Sequence, residues 1–334
     1  MKLYESYKDE GSLRCLLCPH QCIIPPGGRG LCSIRINDGK AVTLSTYGVI
    51  SGYAVDPIEK KPLYHYFPGR DILSVGSYGC NLKCDFCQNY QISQYVEREG
   101  SYRLSPGELV ARALKVSGNI GIAYTYNEPL IWYEYVHDCA VLAREQGLKN
   151  VLVTNGYINS GPLDELLEVT DAFNIDLKAF DDTFYRRYTG STLKPVLSAI
   201  EKVARAGKHL EITTLILPGL NDSDASMRRE AEWIASSVGR KVPLHISRYF
   251  PMYMRADPAT PTETIKRLHE IASEYLDFVY TGNMSGEQCG CDTHCPVCHL
   301  TVIKRAGYKT TLPALDAEGR CSGCGEKIIS HSNA

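Results

Sequence analysis

The middle of the chain alternates short apolar, β-prone segments with longer amphipathic segments. Seven segments have the pattern of strands: 72–78, 121–126, 150–154, 172–178, 209–217, 244–249 and 278–281. Six segments between them have the pattern of helices: 106–117, 131–146, 162–169, 194–206, 223–238 and 261–275. Repeated βα units place their strands in one parallel sheet, so this region predicts an α/β fold.

The length of this region and its first turn discriminate between a barrel and an open doubly wound sheet. From 72 to 284 the chain is short for a complete eightfold barrel, which takes about 250 residues. No G-x-G-x-x-G follows the first strand, which argues against a dinucleotide-binding sheet. We therefore predict a partial TIM-like barrel of about six βα units, with its chemistry at the carboxyl ends of the strands.

Composition narrows the class of protein further. The chain has 334 residues, 44% of them hydrophobic and 22% charged, with a formal net charge of −2, which is the balance of a soluble globular protein. It has no signal-peptide pattern at its start and no run of 18 apolar residues, so we expect a cytoplasmic protein that spans no membrane. The near-neutral charge gives no reason to expect a nucleic-acid partner.

The fourteen cysteines fall almost entirely into three groups. In a reducing compartment, grouped cysteines are metal ligands more often than disulfides. The groups predict a Cys-rich head at 1–70, a barrel at 71–286 and a Cys-rich tail at 287–334.

The central group follows the first strand of the barrel region. Cys80, Cys84 and Cys87 have the spacing C-x3-C-x2-C. Three thiolates are one short of the set that holds a [4Fe–4S] cluster, so one iron would stay open to another ligand. The alternative is a zinc loop with a distant fourth ligand, but zinc sites usually pair two C-x2-C motifs, and no second one lies nearby.

This loop resembles the signature of the radical S-adenosylmethionine (SAM) enzymes. Phe86 stands at the aromatic position before the last cysteine, and the loop follows the first strand of a βα series. The resemblance implies that Cys80, Cys84 and Cys87 hold a [4Fe–4S] cluster whose open iron binds SAM. It also implies reductive cleavage of SAM to methionine and a 5′-deoxyadenosyl radical.

The end of the second strand carries Asn127 and Glu128. Radical SAM enzymes usually have a Gly-Gly-Glu-like motif here, which receives the amino group of SAM. The present sequence keeps only the carboxylate, which suits an ammonium group. The alternative is a carboxylate that stabilises the start of a helix.

The ends of the third and fourth strands resemble those of the pyruvate formate-lyase activating enzymes. Thr154-Asn155 and the pair Asp176 and Lys178 stand at the positions that lie beside the SAM carboxylate in those enzymes. Val153 replaces the acidic residue that they carry just before the threonine, which puts any metal-ion site built on that acid in doubt.

Two further strand ends give weaker predictions. His245 and Arg248 lie on the sixth strand, where a histidine is more often a core residue than a ligand. Residues 217–222 resemble the loop on the adenine side of SAM in the superfamily.

The head carries Cys15, Cys18, Cys22 and Cys32. Four thiolates suffice for one zinc ion or for a second iron–sulfur cluster, and the spacing does not match the ferredoxin pattern. The metal stays open between these two, and we expect it to be structural. His20 lies within the motif and is interpreted as a loop residue.

The tail pairs two C-x2-C motifs, Cys295 with Cys298 and Cys321 with Cys324. This pairing is typical of a zinc ribbon, although the 22 residues between the motifs slightly exceed the usual gap. Three further residues lie just upstream and are interpreted either as another site or as free thiols beside a histidine: Cys289, Cys291 and His294.

The whole chain resembles the radical SAM enzymes of the AmmeMemoRadiSam system. The segments that carry the resemblance are 15–32, 56–69, 79–94, 124–129, 174–180 and the tail. It implies an enzyme that abstracts hydrogen from an unidentified substrate, with a low-potential electron donor such as ferredoxin or flavodoxin. It also implies partners among a protein substrate and the other proteins of that system. Two alternatives stay open: an activating enzyme for a glycyl-radical enzyme, and a non-catalytic metal-binding or redox-sensing protein.

Overall fold

The computed structural model describes residues 2–8, 11–95, 101–284 and 290–330. Its strands in chain order are β1 (Tyr4–Ser6), β2 (Leu13–Cys15), β3 (Ile23–Ile24), β4 (Arg35–Asn37), β5 (Val42–Leu44), β6 (Val49–Ile50), β7 (Gly52–Pro57), β8 (Asp71–Gly76), β9 (Tyr102–Arg103), β10 (Asn119–Tyr124), β11 (Lys149–Thr154), β12 (Ala172–Asp176), β13 (His209–Ile216), β14 (Leu244–Arg248), β15 (Val279–Gly282), β16 (Thr293–His294), β17 (Thr301–Ala306) and β18 (Lys309–Thr311). Its α-helices are α1 (Tyr90–Ser93), α2 (Pro106–Lys115), α3 (Tyr133–Glu145), α4 (Ser160–Val169), α5 (Asp182–Phe184), α6 (Leu193–Arg205), α7 (Asp224–Ser237) and α8 (Thr262–Ser273). Short 3-10 turns lie at Ile58–Lys60 and Pro129–Trp132, and a π-helical turn at Tyr185–Thr189 follows α5.

The main sheet runs in the order β15-β14-β13-β12-β11-β10-β8-β7. The seven strands from β8 to β15 are mutually parallel and consecutive, apart from the small strand β9, which pairs elsewhere. A doubly wound sheet reverses its strand order at a switch point, whereas a βα barrel does not. The order therefore agrees with the predicted series of six βα units, and the predicted strands and helices agree with the observed ones to within a few residues.

The edge of this sheet comes from the region predicted to be the head. Strand β7 pairs antiparallel with β8 along its whole length, from Gly52 opposite Gly76 to Pro57 opposite Asp71. It covers backbone groups of β8 that a sheet edge would leave unpaired. The boundary drawn after residue 70 thus separates two strands of one sheet.

Helix starts follow the local sequence signals. Ser105 caps α2 through a capping box with Glu108, and Pro106 occupies the first turn. The predicted helix at 131–146 begins instead with the 3-10 turn Pro129–Trp132, and α3 starts at Tyr133. Within the described ranges every helix is too short or too polar to cross a bilayer.

A buried polar network around Glu211 lies at the amino end of the parallel strands. This carboxylate accepts hydrogen bonds from the backbone N–H groups of Tyr64 (3.0 Å) and His65 (2.7 Å). His245 Nε2 lies 2.6 Å from it and His209 Nε2 2.8 Å. His245 is therefore a buried core residue near the start of its strand, as the more common interpretation of a strand histidine has it.

The tail packs on the same end of the sheet. Arg305 of β17 is buried and donates to Tyr64 O (2.7 Å), Cys291 O (2.9 Å) and Thr293 Oγ1 (2.9 Å). Thr310 of β18 donates to Glu59 (2.7 Å). The head packs at the opposite, carboxyl end, where Asn159 donates to Leu16 O and Leu17 O.

Candidate metal centre

The three central cysteines lie in the loop between β8 and α1. Cys84 is buried, and Cys80 and Cys87 are half-buried. Cys87 Sγ contacts Ser93 Oγ of α1 (3.0 Å), and Leu82 N donates to Cys80 Sγ (3.3 Å). Both contacts hold the loop folded back on itself, so that all three thiols belong to one short segment at the carboxyl end of the sheet.

The spacing of these sulfurs distinguishes a cluster from a single metal ion. One zinc ion with bonds of about 2.3 Å holds its sulfurs about 3.8 Å apart. Among the described residues, the four tail cysteines are the only group of three or more His, Cys, Asp or Glu side chains whose ligand atoms all lie within 4.8 Å of one another. The wider spacing of Cys80, Cys84 and Cys87 fits a cluster in which each cysteine binds a different iron.

Burial determines the protonation of these thiols. Burial raises the pKa of Cys84 to about 12, although the nearby Lys178 ammonium acts in the opposite direction. Burial also raises the pKa of Cys80 well above its usual range. Thiolates are the ligands of iron, so binding of the metal must displace these protons and must compensate the buried negative charge.

Asn127 fastens the start of the cysteine loop. Its Nδ2 donates to Tyr78 O (3.1 Å) and Gly79 O (3.0 Å), and its Oδ1 accepts from Ser77 N (2.9 Å). The side chain therefore replaces the backbone partners that the chain loses when it leaves β8.

Glu128 connects the ends of two strands. Its carboxylate accepts from Thr154 Oγ1 (2.6 Å), Asn155 N (2.8 Å) and Leu130 N (2.9 Å). Burial raises the pKa of Glu128 to about 7, while these three donors favour the ionised form. Since both oxygens already have partners, the predicted contact of Glu128 with an ammonium group stays a prediction, and its observed contacts are those of a positioning residue.

Asn155 links this anchor to the cluster loop. Its Nδ2 lies 3.7 Å from Cys80 Sγ and 2.9 Å from Asn81 Oδ1, and its Oδ1 accepts from Tyr157 N (2.8 Å). Hydrogen bonds to cluster sulfurs tune the reduction potential. Asn155 is thus in place to influence the metal centre directly.

Asp176 and Lys178 form an ion pair of 2.7 Å on the other side of the loop. Burial alone would lower the pKa of Lys178, but the charges of Asp176, Cys84 and Cys87 outweigh burial and raise the pKa overall. The ammonium is therefore held near the cysteines. The loop at 217–222 reaches the same place, because Asn221 Nδ2 donates to Lys178 O (2.9 Å).

Several predicted residues play supporting roles. The ring of Phe86 is buried and packs against Phe184 at 6.0 Å, so it anchors the loop in the core. Val153 packs in an apolar cluster inside the sheet. Arg248 donates to Thr260 O (2.6 Å) and stacks on the ring of Phe250, away from the cysteine contacts.

Other residues of the site were not anticipated from the sequence. Asn81 stands inside the motif and could have been found from its position between two ligands. Ser93 lies only six residues after Cys87. Arg255, which pairs with Asp85 of the loop at 2.9 Å, is 170 residues away in sequence, and no local pattern indicates it.

The tail cysteines converge as their spacing predicts. Cys295 Sγ lies 3.4 Å from Cys324 Sγ, and Cys298 Sγ lies 3.5 Å from Cys321 Sγ. All four sulfurs lie within 4.8 Å of one another beside the small antiparallel sheet β16-β17-β18. This set can hold one tetrahedral metal ion.

The residues just upstream form no such group within the described part of the chain. Cys289 lies outside the described residues. Cys291 Sγ contacts Thr281 O (3.7 Å), and His294 Nδ1 contacts Thr301 Oγ1 (3.2 Å). The four head cysteines, Cys15, Cys18, Cys22 and Cys32, line one small void.

Comparison with known proteins agrees with this geometry. The model of the radical SAM superfamily matches residues 74–231. An uncharacterized protein of Methanocaldococcus jannaschii is 41% identical over 324 residues, which are 96% of this chain and 96% of that protein. The pyruvate formate-lyase-activating enzyme of Clostridium pasteurianum is 30% identical over 162 residues, which are 47% of this chain and 66% of that enzyme.

Solved structures show the same fold. A radical SAM methyltransferase from Sphaerobacter thermophilus covers 87% of this chain and 81% of its own, with a TM-score of 0.53 and 16% sequence identity. At that identity the likeness concerns the fold alone. The family match shows a radical SAM domain at residues 74–231, and the homologues show that the chain is homologous to the pyruvate formate-lyase activating enzymes.

Proposed function

We propose that this protein uses a [4Fe–4S] cluster, held by Cys80, Cys84 and Cys87, to cleave SAM reductively and to abstract hydrogen from a substrate. The observation that supports this most directly is the separation of the three sulfurs in the loop after the first parallel strand, which suits a cluster with one open iron. When bound, the cluster and SAM supply a 5′-deoxyadenosyl radical.

The residues of the chain position this chemistry. Asn127 holds the backbone that precedes Cys80, and Glu128 fixes Thr154 and Asn155. The Lys178 ammonium is held by Asp176 and is available to a carboxylate of SAM. These groups are fixed before SAM arrives, so little ordering remains to be done on binding.

Formation of 5′-deoxyadenosine tests the proposal. The protein is loaded with iron and sulfide under anaerobic conditions, reduced, and given SAM. We expect product from the natural sequence and none from Cys84→Ala. Cys139→Ala is the matched control, because Cys139 is a buried cysteine of α3 outside the three groups, and this variant should keep iron and activity.

A result against the proposal would be equally clear. Zinc without iron after anaerobic purification would support the non-catalytic metal protein instead. Product formation by Cys84→Ala at the natural rate would exclude the assigned ligands.

The named homologues favour one specific version of this function, the activation of a glycyl-radical enzyme. The support is the similarity to activating enzymes, which extends over 162 residues in one and 163 in another. Incubation with candidate partner enzymes and electron paramagnetic resonance tests it, because a stable glycyl radical has a characteristic signal. SAM cleavage without that signal in any partner would favour direct action on a peptide or small molecule.

The remaining parts of the proposal concern partners and the tail. We place the protein in the AmmeMemoRadiSam system, with a low-potential donor of the ferredoxin or flavodoxin class. We assign zinc to Cys295, Cys298, Cys321 and Cys324, because sulfurs at 3.4 and 3.5 Å suit one tetrahedral ion. Co-purification and metal analysis test these two assignments.

A further inference from the structure

The head contains a void that none of the preceding chemistry uses. Cys15, Cys18, Cys22 and Cys32 all line it, and its volume is about 10 Å³, which is enough to admit one water-sized sphere. Four sulfurs bound to one zinc ion at about 2.3 Å would leave no such space between them.

The head and the tail differ in the spacing of their cysteine sulfurs. In the tail, four sulfurs meet in pairs at 3.4 and 3.5 Å. The described residues of the head show no group of three ligand atoms that all lie within 4.8 Å of one another. Four separated sulfurs around a void suit a [4Fe–4S] cluster, in which each cysteine binds its own iron.

A buried cation supplies independent support. Arg35 also lines the void and is only 1% exposed. Its Nη1 pairs with Glu134 at 2.5 Å, while its Nε and Nη2 are buried and have no hydrogen-bond partner among the described residues. A buried guanidinium with unpaired donors is costly. The inorganic sulfides of a negatively charged cluster would supply acceptors that a zinc ion does not bring.

The void lies directly behind the central cysteine loop. Asn81, which follows Cys80 in the chain, lines the void, and its backbone oxygen accepts a hydrogen bond from His20 Nε2 (2.8 Å). A Cβ atom on Gly79 would lie 2.6 Å from Cys32 O, so the backbones of the two sites touch. A residue that lines the void is thus the immediate chain neighbour of a central ligand, with Cα atoms on the order of 4 Å apart.

From these observations we infer that Cys15, Cys18, Cys22 and Cys32 bind a second [4Fe–4S] cluster, adjacent to the central site. A one-electron donor of the ferredoxin or flavodoxin class would reduce it, and the same electron would pass on to the central loop. This relay role rests on the proposed function, whereas the presence of the cluster in the head does not.

Metal and sulfide analysis of the full chain tests the inference. The protein is purified anaerobically and reconstituted, as the natural sequence and as the triple variant Cys80→Ala, Cys84→Ala, Cys87→Ala. We expect about eight irons in the first and about four in the second. The triple variant should show a [4Fe–4S] Mössbauer spectrum and, after reduction, a paramagnetic signal. Adding Cys18→Ala and Cys32→Ala to the triple variant should abolish that signal, whereas the double variant Cys18→Ala, Cys32→Ala in the natural sequence should keep about four irons in the central site.

The outcomes separate this inference from the proposed function. A triple variant with no iron and a second zinc per chain would overturn the cluster, and so would about two irons with the spectrum of a [2Fe–2S] site. An iron-bearing head in a protein that never forms 5′-deoxyadenosine would refute the proposed function alone. The relay is tested by measuring the rate of SAM cleavage twice, once with reduced flavodoxin and once with dithionite as the reductant. The double variant Cys18→Ala, Cys32→Ala should lose several-fold more of its rate with flavodoxin than with dithionite, and an equal loss with both reductants would overturn the relay.

Discussion

Gly79 offers a sharp test of the contact between the head and the central loop. It adopts a φ of +82°, and a Cβ atom there would lie 2.6 Å from Cys32 O and 2.9 Å from a methyl group of Ile34. Gly27 in the same head has a φ of +74° and nothing within 4 Å of such a Cβ. The two positions share the backbone strain and differ in the contact, so they form a matched pair.

The magnitudes follow from these geometries. A left-handed backbone costs an L-residue about 1–2 kcal/mol, and this cost applies to both Gly79→Ala and Gly27→Ala. Overpacking adds about 1–3 kcal/mol where neighbouring atoms must move. We therefore expect Gly79→Ala to destabilise the protein by about 2–5 kcal/mol and Gly27→Ala by about 1–2 kcal/mol.

The assay compares the two variants in the full, metal-loaded chain. Denaturant unfolding under anaerobic conditions gives the stability, and iron analysis gives the loading. Gly79→Ala should also lower the iron content, because the displaced backbone carries Cys80. Equal stabilities of the two variants within about 0.5 kcal/mol, with equal iron, would refute the tight packing of the head on the loop.

Three further predictions concern the pH dependence and the tail. Burial raises the pKa of Glu230 to about 7, so its contribution to stability is full below the unfolded pKa near 4.5 and falls as the pH rises to 7. In unfolding experiments at pH 8, Glu230→Gln should therefore raise the free energy of unfolding by about 3 kcal/mol, whereas Glu232→Gln, at an exposed position of the same helix, should leave it unchanged. Cys298→Ala should remove zinc from the protein and leave its iron unchanged, and zinc retained at the natural level would contradict the assigned ligands. Arg305→Ala should make the tail susceptible to limited proteolysis, because the variant leaves three acceptors unpaired at a cost of about 1–3 kcal/mol each and so weakens the packing of the tail on the sheet. Lys304→Ala, at the exposed neighbouring position, should leave the digestion pattern unchanged.

The repeated βα units were readable from the sequence because the signal is local. Apolar segments such as 150–154 and amphipathic helices such as 194–206 carry their periodicity in a few adjacent residues, and the chain order of the strands then follows from parallel connections. Strand β7 (Gly52–Pro57) was not predicted, because its own sequence has no pattern that distinguishes an edge strand from a turn region. Only its pairing with β8 (Asp71–Gly76) identifies it as a strand.

The central ligands were readable for the same reason, whereas their surroundings were not. Cys80, Cys84 and Cys87 lie within eight residues. The partners of that loop come from 127, 155 and 255, and their roles depend on which strand ends meet. Glu128 illustrates the difference: the sequence left open a contact with an ammonium group and a role at a helix start, and only the structure shows its contacts with Thr154, Asn155 and Leu130.

The sequence by itself determined the α/β class, the order of the strands and the three cysteine groups, because spacing and periodicity are properties of neighbouring residues. Only the tertiary structure decided that the head cysteines surround a void, that the tail cysteines close on a single point, and that Gly79 brings the backbone of one site against the other. The head and the tail each supply four cysteine thiols. Their separation in space determines whether they suit one metal ion or four, and the packing of distant segments sets that separation.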